Sequence, residues 1–360
     1  MKIAFITGWF PTKNTGSGAS LFIQELKNGL IKKGVDVELI TPQFSSLKSY
    51  HLATLGRIFK NIFLAITSIK NYNLIVCFDY DGFALINNQK IPIICCPRGI
   101  LKEVAGTEYG SYKIFLKLQA FFEQINLNRS NYVIVPSFYA KKSIQKYYKT
   151  PEEKISVIYN GINITKWLNG GKNIAKKSDS KIRILAVGKM YPRKNFPLLL
   201  KMFDILYKNL PQVELHIVGD GIEFDIVSKL KNTLDSKEGI KLYGFVEDLI
   251  FLKNIYKQCD LFCHLSEQET FGNVILEAMA NGKPVIALNK ASIPEIVQDN
   301  YNGIIIDTLN PFDIANKIQL LIMQPEKMTS LGQQAFKTAQ LFSQQKTVEN
   351  FYNKFLEILK

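Results

Sequence analysis

No apolar run in this 360-residue chain approaches the roughly 18–20 residues that a membrane-crossing helix needs, so no transmembrane segment is expected. The N-terminus, MKIAFITGWF, lacks the charged, apolar and small-residue order of a cleavable signal and starts at once with a strand-like run. A disulfide framework is excluded in the same way. There are five cysteines, an odd number at no framework spacing, which points to a reduced, cytoplasmic compartment. Cys259, Cys263 and His264 lie close together, but no second pair joins them, so the cluster reads as core and no metal site is expected. Internal repeats and low-complexity tracts are missing too. What is present is 47% apolar and 21% charged residues, the balance of a globular enzyme large enough for two domains.

The charge is lopsided. Residues 1–170 carry 21 Lys and Arg against 10 Asp and Glu, a net +11, whereas residues 171–360 carry 24 against 21, a net +3. A basic first half suits an anionic partner such as a membrane surface or a phosphorylated acceptor, and nucleic acid shares that charge preference. An Ile-, Asn- and Lys-rich coding bias would give the same excess.

Short apolar runs alternate with helical patterns, which predicts parallel α/β sheets. KIAFITG reads as a buried strand, followed by the glycine-containing loop PTKNTGSGAS and an amphipathic helix over about 20–33. VDVELIT, NLIVCFD, IPIICC, NYVIVP and KISVIYN continue the theme. NITKWLNGGKNIAKKSDS, polar and without periodicity, marks an interdomain linker. The pattern then restarts with IRILAVGKM, VELHIVG, IKLYGFV, DLFCHLS, KPVIALN and GIIID. Two Rossmann-like doubly wound domains facing a central cleft are therefore expected: 1–165, a linker at 166–179, and 180–342. The sheet rule places ligands beside helix N-termini at the strands' carboxyl ends. A final helix, about 343–360, puts Val348, Phe351, Phe355 and Ile358 on one stripe that needs an apolar surface to cover, and we expect it to pack back on the first domain.

The chemistry concentrates in SEQETFGNVILEAMANGKPVIA. Glu269 falls in a polar loop after a strand. Phe271, Gly272, Asn273 and Val274 open a helix that carries Glu277, and Gly282 stops it. Unpaired N–H groups at such a start address an anion, while a carboxylate before it suits hydroxyl groups. The order hydroxyls, phosphate, hydroxyls is that of a sugar, a diphosphate and a ribose. Lys189, Arg193 and Lys194, in the strand-to-helix loop VGKMYPRKNF, supply the cations the phosphates need.

Together these segments resemble the group-one (family four) retaining glycosyltransferases of GT-B architecture, which use nucleotide-diphosphate sugars. The resemblance covers nearly the whole chain. Glu269 and Glu277 match the family's E-x7-E motif; HIVGDG, YGFVED and SIPEIVQDNYNGIII match its donor domain, and VIYNGIN its hinge. The loop holding Gly16 and Gly18 is similar to the family's glycine loop. The resemblance implies that Glu269 holds hydroxyls of the transferred sugar, Glu277 holds the ribose, and Lys194 stabilises the departing diphosphate. The family commonly has Arg directly after the strand glycine; here Lys189 follows Gly188, and Arg193 is the alternative partner of Lys194. A first-domain His near the anomeric carbon is common in the family. CPRGILKE offers Arg98 and Gly99 instead.

No cofactor and no metal are implied. Asp79 and Asp81 form a D-x-D, but in the first domain, where a capping or acceptor-facing role is expected. VGDG lacks the third glycine of a dinucleotide fingerprint, since Phe224 stands there. A silent nucleotide-sugar-binding subunit and a sugar-nucleotide epimerase are the competing readings; the intact E-x7-E opposes the first, and the second lacks a proton-transferring pair. The expected partners are a nucleotide sugar, a glycan or lipid-linked acceptor and an anionic membrane surface, with no nucleic acid. LGRIFKNIFLAITSIK and YGSYKIFLKLQAFF, basic and amphipathic, suit a core face or an interfacial helix, so peripheral attachment to the inner face of the membrane is expected.

Overall fold

A computed structural model of the chain describes residues 1–8, 18–41, 50–64, 71–85, 90–168 and 180–360. Contacts divide them into two compact units, Met1–Asn160 with Gln344–Lys360, and Gly161–Ser343. The division falls earlier than the boundary expected at 165. The helix Ile164–Leu168 belongs to the second unit because buried Trp167 packs edge-on against Tyr256, with centroids 5.2 Å apart. Most of the expected linker, 169–179, lies outside the described residues.

In the first unit the strands are β1 (Lys2–Ile6), β2 (Asp36–Ile40), β3 (Leu74–Phe78), β4 (Ile93–Cys96), β5 (Tyr132–Val135) and β6 (Ile155–Val157). Helices α1 (Gly18–Lys32), α2 (Tyr50–Leu64), α3 (Leu101–Thr107), α4 (Gly110–Arg129) and α5 (Phe138–Tyr148) alternate with them. Among the described residues they make one parallel sheet in the order β2-β1-β3-β4-β5-β6. Strands such as LIVCF are buried at every position, as a sheet covered on both faces requires.

The second unit starts with α6 (Ile164–Leu168) and continues with β7 (Ile182–Val187), α7 (Phe196–Asn209), β8 (Val213–Val218), α8 (Phe224–Thr233), β9 (Ile240–Leu242) and α9 (Leu249–Gln258). Then come β10 (Leu261–His264), α10 (Asn273–Ala280), β11 (Val285–Leu288), β12 (Gly303–Ile306), α11 (Pro311–Ile322) and α12 (Pro325–Leu341). The sheet order is β12-β11-β10-β7-β8-β9, all parallel. Both sheets are doubly wound, as expected.

Strand order reverses between β1 and β3 in the first sheet, and between β7 and β10 in the second. Loops leaving such a pair diverge to opposite faces and open a crevice at the carboxyl ends, where ligands of doubly wound sheets bind. The loop after β7 contains Lys189–Lys194, and the loop after β10 contains Ser266–Gly272. The final helix, α13 (Gln344–Leu359), lies on α1 in the first unit. Its buried Val348, Phe351 and Phe355 join Phe22, Ile23 and Leu26 in one core, with Phe22 and Phe351 centroids 5.9 Å apart.

Candidate active site

Backbone chemistry fixes the loop after β7 first. Gly219 has φ +139° and Gly221 φ +152°, a region that favours glycine. A Cβ on Gly219 would come within 1.9 Å of the Gly188 carbonyl oxygen, and one on Gly221 within 2.5 Å of that of Met190. Only bare backbone allows this approach. It lets Met190 donate its N–H to the Asp220 carbonyl (2.6 Å) and accept from the Glu223 N–H (3.0 Å). The HIVGDG segment thus braces the Lys189 loop. Met190 is buried, while the neighbouring Lys189 is exposed, its carbonyl accepting from the Tyr191 N–H at 2.9 Å.

The same loop is stapled to the loop after β10. The Arg193 carbonyl accepts from the Glu267 N–H (2.9 Å), and the Asn195 side chain donates to the Leu265 carbonyl (3.1 Å) and the Glu267 carboxylate (2.9 Å). Ser292, fully buried, donates its hydroxyl to the Glu269 carbonyl (2.9 Å) and ties that loop to the one after β11. Three loops therefore hold the Glu269 backbone.

Side chains then converge although they lie 75 residues apart. Lys194 Nζ forms an ion pair with Glu269 Oε1, and His264 Nε2 hydrogen-bonds the same oxygen at 2.7 Å. Burial alone would push the Glu269 carboxyl up, but Lys194 and His264 outweigh it and hold the group well below the usual carboxylate range. Burial draws the Lys194 ammonium down in spite of Glu269, with Arg193 adding repulsion. Because both partners address Oε1, Oε2 stays without a partner among the described residues and can accept from a ligand's hydroxyl. Lys194 and His264 also line a small pocket with Gly188, Phe196 and Cys263.

Helix α10 begins at Gly272, whose φ of +96° turns the chain into the helix. No side chain caps this start. A helix N-terminus of this kind carries the partial positive charge that favours an oxyanion. Asn273 and Val274 form the first turn and are half-buried. The Phe271 ring, just before the helix, is buried against Phe342, centroids 5.9 Å apart. Glu277 sits one turn further on, where the buried Tyr256 hydroxyl donates to its Oε2 at 2.9 Å. Arg193 stacks on the Tyr191 ring at 4.7 Å.

Two residues that the sequence places elsewhere or leaves unmarked line this candidate site. His264 ends an apolar strand and resembles core in DLFCHLS; Tyr256 is buried on α9, 21 residues before Glu277. The offset of five between His264 and Glu269 was the only signal for the first, and nothing local marks the second. Cys263 is a buried thiol pushed up to about 12 by burial, poorly suited to bind a metal. Among the described residues no group of three His, Cys, Asp or Glu side chains is placed to hold a metal ion.

In the first unit, Gly16 lies outside the described residues, and Gly18 begins α1 rather than sitting in the preceding loop. Arg98 stacks on the Phe22 ring at 3.7 Å and hydrogen-bonds the Asn160 side chain; burial lowers it to about 10. The D-x-D pair is built into the fold. Asp81 receives both the Nε (2.9 Å) and an Nη of Arg57 (2.5 Å), the Asn61 amide (3.0 Å) and the Gly8 N–H. Asp79, at φ +55°, accepts from the Arg98 N–H at 2.6 Å. Neither the capping nor the acceptor-facing role describes Asp81, which bolts α2 to the ends of β1 and β3.

The comparisons with known proteins converge. The model for "Glycosyl transferases group 1" matches residues 172–338, and that for "Glycosyltransferase Family 4" matches residues 16–166. An uncharacterized glycosyltransferase of Methanocaldococcus jannaschii is 29% identical over 349 residues, covering 88% of this chain and 87% of its own. A second from the same organism is 30% identical over 272 residues, covering 74% and 69%. Among solved structures, HepE of Anabaena in complex with UDP-glucose superposes with a TM-score of 0.74 at 20% identity, covering 99% of this chain and 100% of that one.

Proposed function

Since the chain belongs to the group 1 glycosyltransferases, we propose that it transfers a sugar, with retention, from a nucleotide-diphosphate sugar to a glycan or lipid-linked acceptor, without a divalent metal. The observation that carries this reading is the joint hold of Lys194 and His264 on Glu269 Oε1, beside an uncapped helix start. The free Oε2 accepts hydroxyls of the transferred sugar. Glu277, oriented by Tyr256, takes the ribose hydroxyls. Lys194 and the first turn of α10 meet the diphosphate, with Arg193 or Lys189 as second cation.

In this scheme the bond between the anomeric carbon and the diphosphate oxygen breaks as negative charge grows on that oxygen. The acceptor oxygen bonds the same face, and its proton passes to the departing phosphate. A fixed ammonium next to N–H donors stabilises the developing charge in place of a metal ion. UDP-glucose bound to the like-folded Anabaena protein supports a donor of this chemical class. The setting we assign, by family analogy, is bacterial surface polysaccharide assembly at the cytoplasmic face of the cell membrane. Among the described residues no helix is long and apolar enough to cross a membrane.

The test is to incubate the protein with a panel of nucleotide sugars and acceptors and measure released nucleoside diphosphate, with and without EDTA. Release abolished by Glu269→Ala or Lys194→Ala and indifferent to EDTA supports the reading. Binding without turnover on every acceptor points to a silent subunit instead, and inhibition by EDTA refutes the metal-free scheme.

A further inference from the structure

Helix α2 is turned inside out. Its inward face is largely polar: Asn61 and Arg57 bind Asp81, the Gly82 N–H donates to the Asn61 side chain (2.6 Å), and Thr54 accepts from Gln119 of α4 (2.9 Å). Ile58 is the apolar contact on that face. The outward face carries Leu52, Leu55, Phe59, Ile62 and Phe63, at 52, 55, 59, 62 and 63 on one helical stripe; Phe59 is 70% and Phe63 60% exposed. An amphipathic helix on a soluble surface shows the reverse arrangement. The neighbouring α4 repeats the feature, with Ile114 68% and Phe121 59% exposed and Leu118 between them.

The charge around these stripes is of one sign. YHLATLGRIFKNIFL holds no Asp or Glu, and the one carboxylate of α4, Glu123, is buried. Lys60, Lys113 and Lys117 stand on the same two helices, within a half-chain of net charge +11. Large apolar groups that insert, ringed by lysines that stay at the headgroups, fit the surface of an anionic bilayer. We propose that α2 and α4 form the membrane-docking face of the protein, seating the first unit on acidic phospholipid. This deepens the lipid-linked-acceptor part of the proposed function, and it is testable without any turnover.

The experiment compares co-sedimentation of the full chain with vesicles of phosphatidylglycerol and phosphatidylcholine against vesicles of phosphatidylcholine alone, at low and high salt. The wild type is expected to bind the acidic vesicles, with binding weakened by salt. Phe59→Ser with Phe63→Ser should lower the bound fraction at least tenfold. Phe312→Ser, at an equally exposed position on α11 (60%), should leave it unchanged. Far-ultraviolet circular dichroism and nucleoside diphosphate release with a water-soluble acceptor should be unaltered in the double variant, which separates docking from folding and from the transferase reading. Undiminished vesicle binding by the double variant overturns the proposal. So does wild-type sedimentation equilibrium showing a dimer that the double variant dissolves, with no vesicle binding, because the stripes would then meet a second copy of the chain.

Discussion

Replacing Lys194 by Met removes one of two partners from a carboxylate that is 13% exposed and whose charge those partners favour against burial. Breaking a buried pair by deleting one member costs about 3–5 kcal/mol. His264 still binds Oε1, which favours the lower end. For a unit of this size a loss of about 3 kcal/mol lowers the melting temperature by roughly 6–12 °C. Turnover should fall further than stability explains, by about 10²–10³-fold, the cost of deleting one donor aimed at developing charge. Differential scanning calorimetry and nucleoside diphosphate release measure the two effects separately. The double variant Lys194→Met with Glu269→Gln removes the stranded charge, so it should recover most of the lost melting temperature and none of the turnover. Turnover within about tenfold of wild type in Lys194→Met would refute a role for this ammonium at the leaving group. A melting temperature that the double variant lowers further would refute the coupling.

Other outcomes follow from neighbouring contacts. Tyr256→Phe deletes the donor to Glu277, and should raise KM for the nucleotide sugar roughly tenfold, about 1.4 kcal/mol, with little change in kcat. Gly219→Ala drives a Cβ into the Gly188 carbonyl; a loss of about 3 kcal/mol in urea unfolding, with impaired turnover, is expected. Glu123, buried beneath Tyr148, is pushed up to about 8 by burial. Folding thus holds its proton more tightly than the unfolded chain does. Its stabilising contribution is complete below about pH 4.5 and lost as pH rises through about 8. Unfolding of the wild type followed from pH 5 to 9 should show a loss of stability that Glu123→Gln flattens.

Much of the fold was legible because buried parallel strands leave continuous apolar runs, and Gly34 and Gly282, both at positive φ, punctuate helices where a left-handed residue is required. The site was legible where its parts are contiguous, as in the helix start at Gly272 flanked by Glu269 and Glu277. What stayed hidden depends on distance along the chain. Lys194 and Glu269 meet only because strand order brings β7 beside β10, and no periodicity encodes that neighbourhood. His264 was hidden by the company it keeps, an apolar strand in which a histidine passes for core. Trp167 shifted the domain boundary for a similar reason. The polar composition around it suggested a linker, whereas a single indole packed on Tyr256 commits the segment to the second unit. For Asp79 and Asp81 the metal-binding meaning of a D-x-D was set aside, but the expected capping or acceptor-facing role gives way, at Asp81, to Arg57, Asn61 and a backbone N–H.

The placement of α13 has a consequence for biosynthesis. Phe22, Ile23 and Leu26 are covered by a helix encoded more than three hundred residues later, after the whole of Gly161–Ser343. The second unit is contiguous in sequence, whereas the apolar face of α1 stays uncovered until residues 344–360 have been made. A premature stop near Gln344 would therefore injure the opposite end of the sequence, leaving a folded second unit attached to a first unit that exposes Phe22 to chaperones and proteases.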